Sequence, residues 1–244
     1  MMPFPDPAPD PIDRELAAVY RLYAALAQQM DPETGLGGKL LFAGELDPAG
    51  CRLVRAANIA GAATLASTPD AAAQRKAIRE GVVDFLVTSL DEALRILKNE
   101  LRKRQPVAVG VTLTLETILR QMDERGVLPD LLPPASSLDS DPPEFARFLA
   151  AGARRVEAET RPTGHTFLTV SIPTGWTLAE FDALLAEHLA PEDHLNQRWL
   201  RLSPRYMGPA ARRIRSLECS RETASKLHNR VSEALRDADR NKVD

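Results

Sequence analysis

Along this chain the period of the apolar positions changes several times, and each change marks an element. From Asp13 to Met30 the residues Leu16, Val19, Tyr20, Tyr23, Leu26 and Ala27 recur at helical spacing, which predicts an amphipathic helix. Leu40-Leu41-Phe42-Ala43 is wholly apolar and lies between glycines, as a strand buried on both faces should be. A loop from Gly44 to Gly50 follows, and an Ala-rich helix is expected from Cys51 to Ala60. Ala62–Ala66 is a second candidate strand. Ser67-Thr68-Pro69-Asp70 reads as a helix start, with a hydroxyl cap and then Pro at the first helical position. That helix runs to Glu80, and Val82–Val87 is the third strand. Ser89 caps a helix from Leu90 to Lys103, with Glu92 placed as in a capping box. Val107–Val111 is the fourth strand, Leu115–Glu124 a helix, and Val127–Leu132 a short fifth strand.

Strands joined by single helices imply right-handed crossovers and a parallel sheet with helices on both faces, an α/β fold. Ligands of such sheets bind beyond the carboxyl ends of the strands. The loops of interest therefore begin at Gly44, Ala66, Thr88 and Thr112.

The alternation stops after Leu132. Residues 136–151, rich in Pro, Ser and Asp, read as a linker. Arg154–Glu159 and Thr166–Ile172 suggest a hairpin turning at Pro162-Thr163-Gly164. Helices are expected from Trp176 to Leu189, from Asp193 to Leu202 and from Arg221 to Asp239. The expected domains are thus a disordered N-terminus over 1–12, which holds five prolines, an α/β domain over 13–135, and a smaller α+β part over 152–244.

Bulk chemistry narrows the function. A formal charge of -3 offers no overall basic excess for nucleic acid or an anionic membrane. No apolar run reaches the roughly 20 residues that span a bilayer. No signal peptide pattern is present, and the two cysteines, Cys51 and Cys219, make neither a disulfide framework nor a CxxC pair. A reduced, cytoplasmic chain is expected. His165, His188, His194 and His228 fit no recognised metal spacing, so no metal is expected. Arg201, Arg205, Arg212, Arg213 and Arg215 form a dense cluster without interleaved aromatics, which suits a solvated or salt-bridged helix face better than RNA.

Four short motifs occur in order: Gly38-Lys39, Ala57-Asn58-Ile59-Ala60-Gly61-Ala62, Leu90-Asp91-Glu92-Ala93-Leu94 and Arg125-Gly126-Val127-Leu128-Pro129-Asp130. Together they resemble the urocanase (urocanate hydratase) family, in which they read G-K, A-x-x-A-G-A, L-D-x-A-L and R-G-V-x-P-D. The resemblance covers Gly38–Leu132 and implies a Rossmann-like domain. It also implies NAD⁺ as a tightly bound electrophile in the hydration of urocanate, and hence histidine breakdown and lyase chemistry.

The family positions for the cofactor fall on Gly44, Gly50, Cys51, Thr68 and Thr114. There this chain departs from the pattern. The family loop G-L-G-G-M-G-G-A-Q is here Gly44-Glu45-Leu46-Asp47-Pro48-Ala49-Gly50-Cys51-Arg52. Glu45 and Asp47 put carboxylates where phosphates would sit, Pro48 removes a donor, and Arg52 offsets part of this. A ribose-binding Glu becomes Thr68, for which a helix cap is the alternative role. G-N-A becomes Leu113-Thr114-Leu115. The segment T-D-Q-T-S-A-H-D is replaced by Leu132–Asp139, where only Ser137 matches.

Shorter echoes of the family occur at Pro173–Thr177, Asp193-His194-Leu195, Arg198-Trp199-Leu200 and Gly208–Arg212. The last of these places the catalytic cysteine near Arg215. Cys219, four residues further on, is then either a displaced nucleophile or an ordinary thiol. The resemblance therefore implies a non-catalytic binding or regulatory homologue with a degenerate NAD site, associating with itself or with a full-length urocanase. The rival is a compact urocanate hydratase-like lyase that still uses NAD. A third reading puts a different small-molecule or nucleotide site in the same crevice, which an anion docked near Arg52 would favour.

Overall fold

The computed structural model describes residues 10–28, 30–31, 33–135, 141–157, 164–173, 175–208 and 213–240. The chain divides into two compact units, Val19–Thr160 and Met1–Ala18 with Arg161–Asp244, and the division falls inside the first helix, α1 (Pro11–Ala27).

The first unit is built on β1 (Leu40–Glu45), β2 (Ala63–Ser67), β3 (Phe85–Val87), β4 (Ala108–Val111), β5 (Leu131–Leu132) and β6 (Arg154–Arg155). All pairings are parallel, and the order is β3-β4-β2-β1-β5-β6. The connecting helices are α2 (Pro48–Ala60), α3 (Ala71–Arg79), α4 (Leu90–Lys103), α5 (Leu115–Glu124) and α6 (Pro143–Ala150). Right-handed crossovers sort them by direction. The chain steps one way through α2 and α3, then reverses, so α4, α5 and α6 lie on the opposite face.

The two faces differ in residue size because strand side chains alternate. Leu40, Phe42, Leu65, Val109, Val111 and Leu132 meet Leu90, Leu97, Ile118, Met122, Phe145 and Phe148 in a single core beneath α4–α6. On the other face Leu41 and Leu131 are joined by the small Ala43, Ala66, Ala108 and Gly110. There α2 packs on β1 and β2, with Ala56, Ala57 and Ala60 fully buried. Gly61 ends α2 at φ 98 and returns its N–H to the helix, a C-terminal stop that glycine provides at little cost.

Several expectations require correction. The expected linker holds α6, whose Phe145 and Phe148 belong to the core; residues 136–140 lie outside the described residues. Arg154-Arg155 does not form a hairpin with the segment after Gly164 but joins β5 as the sixth parallel strand. The third strand begins only at Phe85, later than expected; just before it, the Asp84 carboxylate takes the Ala108 N–H that a strand carbonyl would otherwise accept. The fifth is shorter because Pro129 lacks a donor. Pro11 and Ile12 are helical, while the rest of the expected disordered N-terminus, up to Pro9, lies outside the described residues. The cap of α3 is Asp70, which accepts from Ala73 N at 2.6 Å, and not a hydroxyl before Pro69.

The second unit centres on two antiparallel strands, β7 (His165–Ser171) and β8 (Ile214–Ser220). Around them are α7 (Leu178–Ala186), α8 (His194–Tyr206) and α9 (Arg221–Arg240). Trp199 is fully buried and donates to the Ser216 carbonyl at 2.7 Å. No helix among the described residues is long and apolar enough to cross a membrane.

Candidate functional site

The reversal of crossover direction fixes where a ligand crevice can open. β2 sends the chain to the α3 face, while its neighbour β4 sends it to the α5 face. The same divergence separates β1 from β5. The carboxyl ends of β1, β2 and β4 therefore define the candidate site, and they bring Gly44, Gly50, Cys51, Thr68 and Thr114 to one end of the sheet.

The β1–α2 loop is tightly organised. Gly44 has φ 78, inside a register irregularity between Phe42 and Glu45. Asp47 is the N-cap of α2, and its carboxylate accepts the Gly50 N–H at 2.7 Å. Pro48, the first helical residue, has no N–H. A Cβ on Gly50 would collide with the Glu45 carbonyl oxygen, so this glycine permits the helix to approach the strand end.

Leu46 is buried and turns inward across β2. Its Cδ1, the Thr68 Cγ2 and the Leu86 Cδ1 lie within 3.2–3.5 Å of where a Gly110 Cβ would be. Three apolar groups thus close over the small residue of β4.

Thr68 is 1% exposed; its N–H donates to Val111 O at 2.9 Å and its carbonyl accepts from the Gln74 amide at 2.8 Å. Its hydroxyl has no partner among the described residues. Thr114 caps α5, accepting from Thr117 N at 3.2 Å. Between them Ser67 Oγ donates to Leu113 O at 2.6 Å and ties the β2 and β4 loops together. The Cys51 thiol points to Leu46 O at 3.7 Å, and burial pushes its pKa up.

Sequence reasoning found Asp47 only as a carboxylate in the loop. The Asp-Pro pair is itself a helix-start signal that could have identified the cap. Leu46 and Ser67 carried no such signal, because their roles depend on the β1-β2-β4 adjacency.

Elsewhere, Cys219 lies on β8 opposite Thr166, and burial raises its thiol to about 11. Arg215 is also on β8, not on a helix face, and is 2% exposed; its Nε donates to the Asp182 carboxylate at 2.6 Å. Arg201 and Arg205 lie on α8, and Arg212 is outside the described residues. Among the described residues no three His, Cys, Asp or Glu side chains group as metal ligands would.

Fold and strand-end loops together define a Rossmann-like α/β protein. The family model for the urocanase Rossmann-like domain matches residues 17–141, just over half of the 244 residues. The chain belongs to the urocanase family.

Proposed function

We propose that this chain is a binding or regulatory homologue of urocanate hydratase, without its own catalysis and with a degenerate NAD site, that associates with a full-length urocanase or with itself. The observation that carries this reading is the Asp47 cap. A dinucleotide pyrophosphate is held in Rossmann-like domains by free N–H groups at the start of the first helix and by backbone close enough to reach it. Here the first residue of α2 is a proline and the Gly50 N–H is bound by an internal carboxylate. A phosphate at that place would face the Asp47 charge at short range and displace a satisfied cap. Leu46 over Gly110 adds an apolar obstruction beside it. The residues present do not fit the cofactor.

Mass spectrometry of the freshly purified, denatured protein tests the reading, together with loss of urocanate absorbance on incubation. The expected result is no NAD⁺, no thermal shift on adding it, and unchanged absorbance. Stoichiometric NAD⁺ would instead favour a compact urocanate hydratase-like lyase.

A further inference from the structure

We infer that the β3 edge of the parallel sheet, together with α3, is a docking surface for an extended, acidic segment of a partner polypeptide that carries apolar anchors. The inference rests on the reading of the chain as a binding module and names the surface and the partner's chemistry. An open groove of about 320 Å³ runs between the two elements, lined by Ala71, Gln74, Arg75, Ile78, Arg79 and Leu86. Those α3 residues recur every three to four positions and so form one helix face.

The edge combines two features. First, it is apolar where it is open: Ile78 and Phe85 are each 48% exposed, and Phe85 lies on the opposite side of the strand from Leu86. No strand among the described residues pairs with the outer side of β3, which leaves main-chain groups for an added strand. Second, its charge is unanswered. Arg75, Lys76 and Arg79 make no ion pair among the described residues.

The charge decides the kind of partner. An antiparallel pairing of β3 with its own copy needs a two-fold axis normal to the sheet. That axis would set α3 against α3, with Arg75 and Arg79 facing arginines. A segment bearing carboxylates meets the same cations favourably while its apolar side chains cover Ile78, Leu86 and Phe85.

The test is fluorescence anisotropy of the intact chain with a rhodamine-labelled nine-residue peptide alternating Glu with Leu, Val and Phe. Its control is the same peptide with Lys in place of Glu. Saturable binding of the acidic peptide is expected, at least about tenfold tighter than the lysine peptide. The Arg75→Glu/Arg79→Glu double variant should weaken it about tenfold or more, and Phe85→Ala should also weaken it. Both variants change exposed side chains, and unchanged thermal melting checks that they fold. Absence of saturable binding, equal affinity for the two peptides, or indifference to charge reversal would overturn the inference. So would a concentration-dependent dimer lost in Ile78→Glu, since the edge would then belong to a second copy. NAD⁺ is assayed on the same preparation: bound dinucleotide removes the binding-module reading, whereas absent peptide binding removes only this surface.

Discussion

The carboxylate of Asp47 accepts the backbone N–H of Gly50 at 2.7 Å, so the start of α2 satisfies its own donor. The bond is local, made three residues along the chain, and it occupies the place that a phosphate takes in dinucleotide-binding relatives of the fold.

Removal of this cap has a measurable cost. Asp47→Ala should destabilise the protein by about 1 kcal/mol, whereas Asp47→Asn, which keeps an acceptor, should change little. Chemical denaturation reads both. None of the single changes Glu45→Gly, Asp47→Gly or Thr68→Glu should restore urocanate hydration. Recovery with one of them would overturn the proposed loss of the site.

Gly50 offers a sharper steric test. Its replacement by Ala puts a methyl group onto the Glu45 carbonyl, a backbone atom that cannot swing aside. The expected loss is about 3 kcal/mol or more. Gly44→Ala should be milder, at about 1 kcal/mol, because only its positive φ is at stake there.

The packing of α6 can be separated from a linker role by truncation. Phe148 is 1% exposed, and Phe145 meets Phe42 edge to face at 6.2 Å. Phe148→Ala should cost about 3–5 kcal/mol. A loss under 1 kcal/mol would return the segment to a surface connection.

In the second unit Asp182 is the carboxylate that answers the buried Arg215. Asp182→Ala would strand a cation at 2% exposure, at an expected cost of about 3 kcal/mol. A double variant with Arg215→Met should recover part of that loss, because the stranded charge is then gone too.

Cys219 gives the pH-dependent prediction. Its thiol is raised from 9.0 to about 11 by burial, with the nearby Asp193 and Glu218 charges adding to this. The folded protein thus holds a proton that the unfolded chain releases, and stability should fall as pH rises from about 9 to 11. Cys219→Ala should flatten that slope. At pH 8 only about one thiol in a thousand would be thiolate, so alkylation of Cys219 should be slow until denaturant is added. Fast labelling in the native state would reinstate it as a nucleophile.

Most of the first unit was legible along the chain. Its strands are continuous apolar runs, its helices carry local caps at Ser89 and Thr114, and glycine closes α2. These signals act over three or four residues, so sequence order preserves them. Where the reading slipped, a distant partner made the decision. The pattern at Arg154–Glu159 predicts a strand but not its partner, and only the pairing with Leu131-Leu132 makes Arg154-Arg155 the parallel β6. β8 was missed because its polar and apolar residues pair across 43 to 55 positions with β7.

The candidate site divides in the same way. The residues themselves determined that the glycine-dense cofactor loop is absent, that Glu45 and Asp47 stand in it, and that the helical scaffold around it persists. Such facts are compositional and local. Tertiary structure alone decided that Leu46 crosses β2 to cover Gly110, that Ser67 ties down the Leu113 carbonyl, and that Gly50 is required by the Glu45 backbone. It also decided that β3 lies at the sheet edge, although three later strands of the same sheet follow it. Strand order comes from crossovers that skip neighbours, and a pattern of apolar periods carries no record of which strands become adjacent.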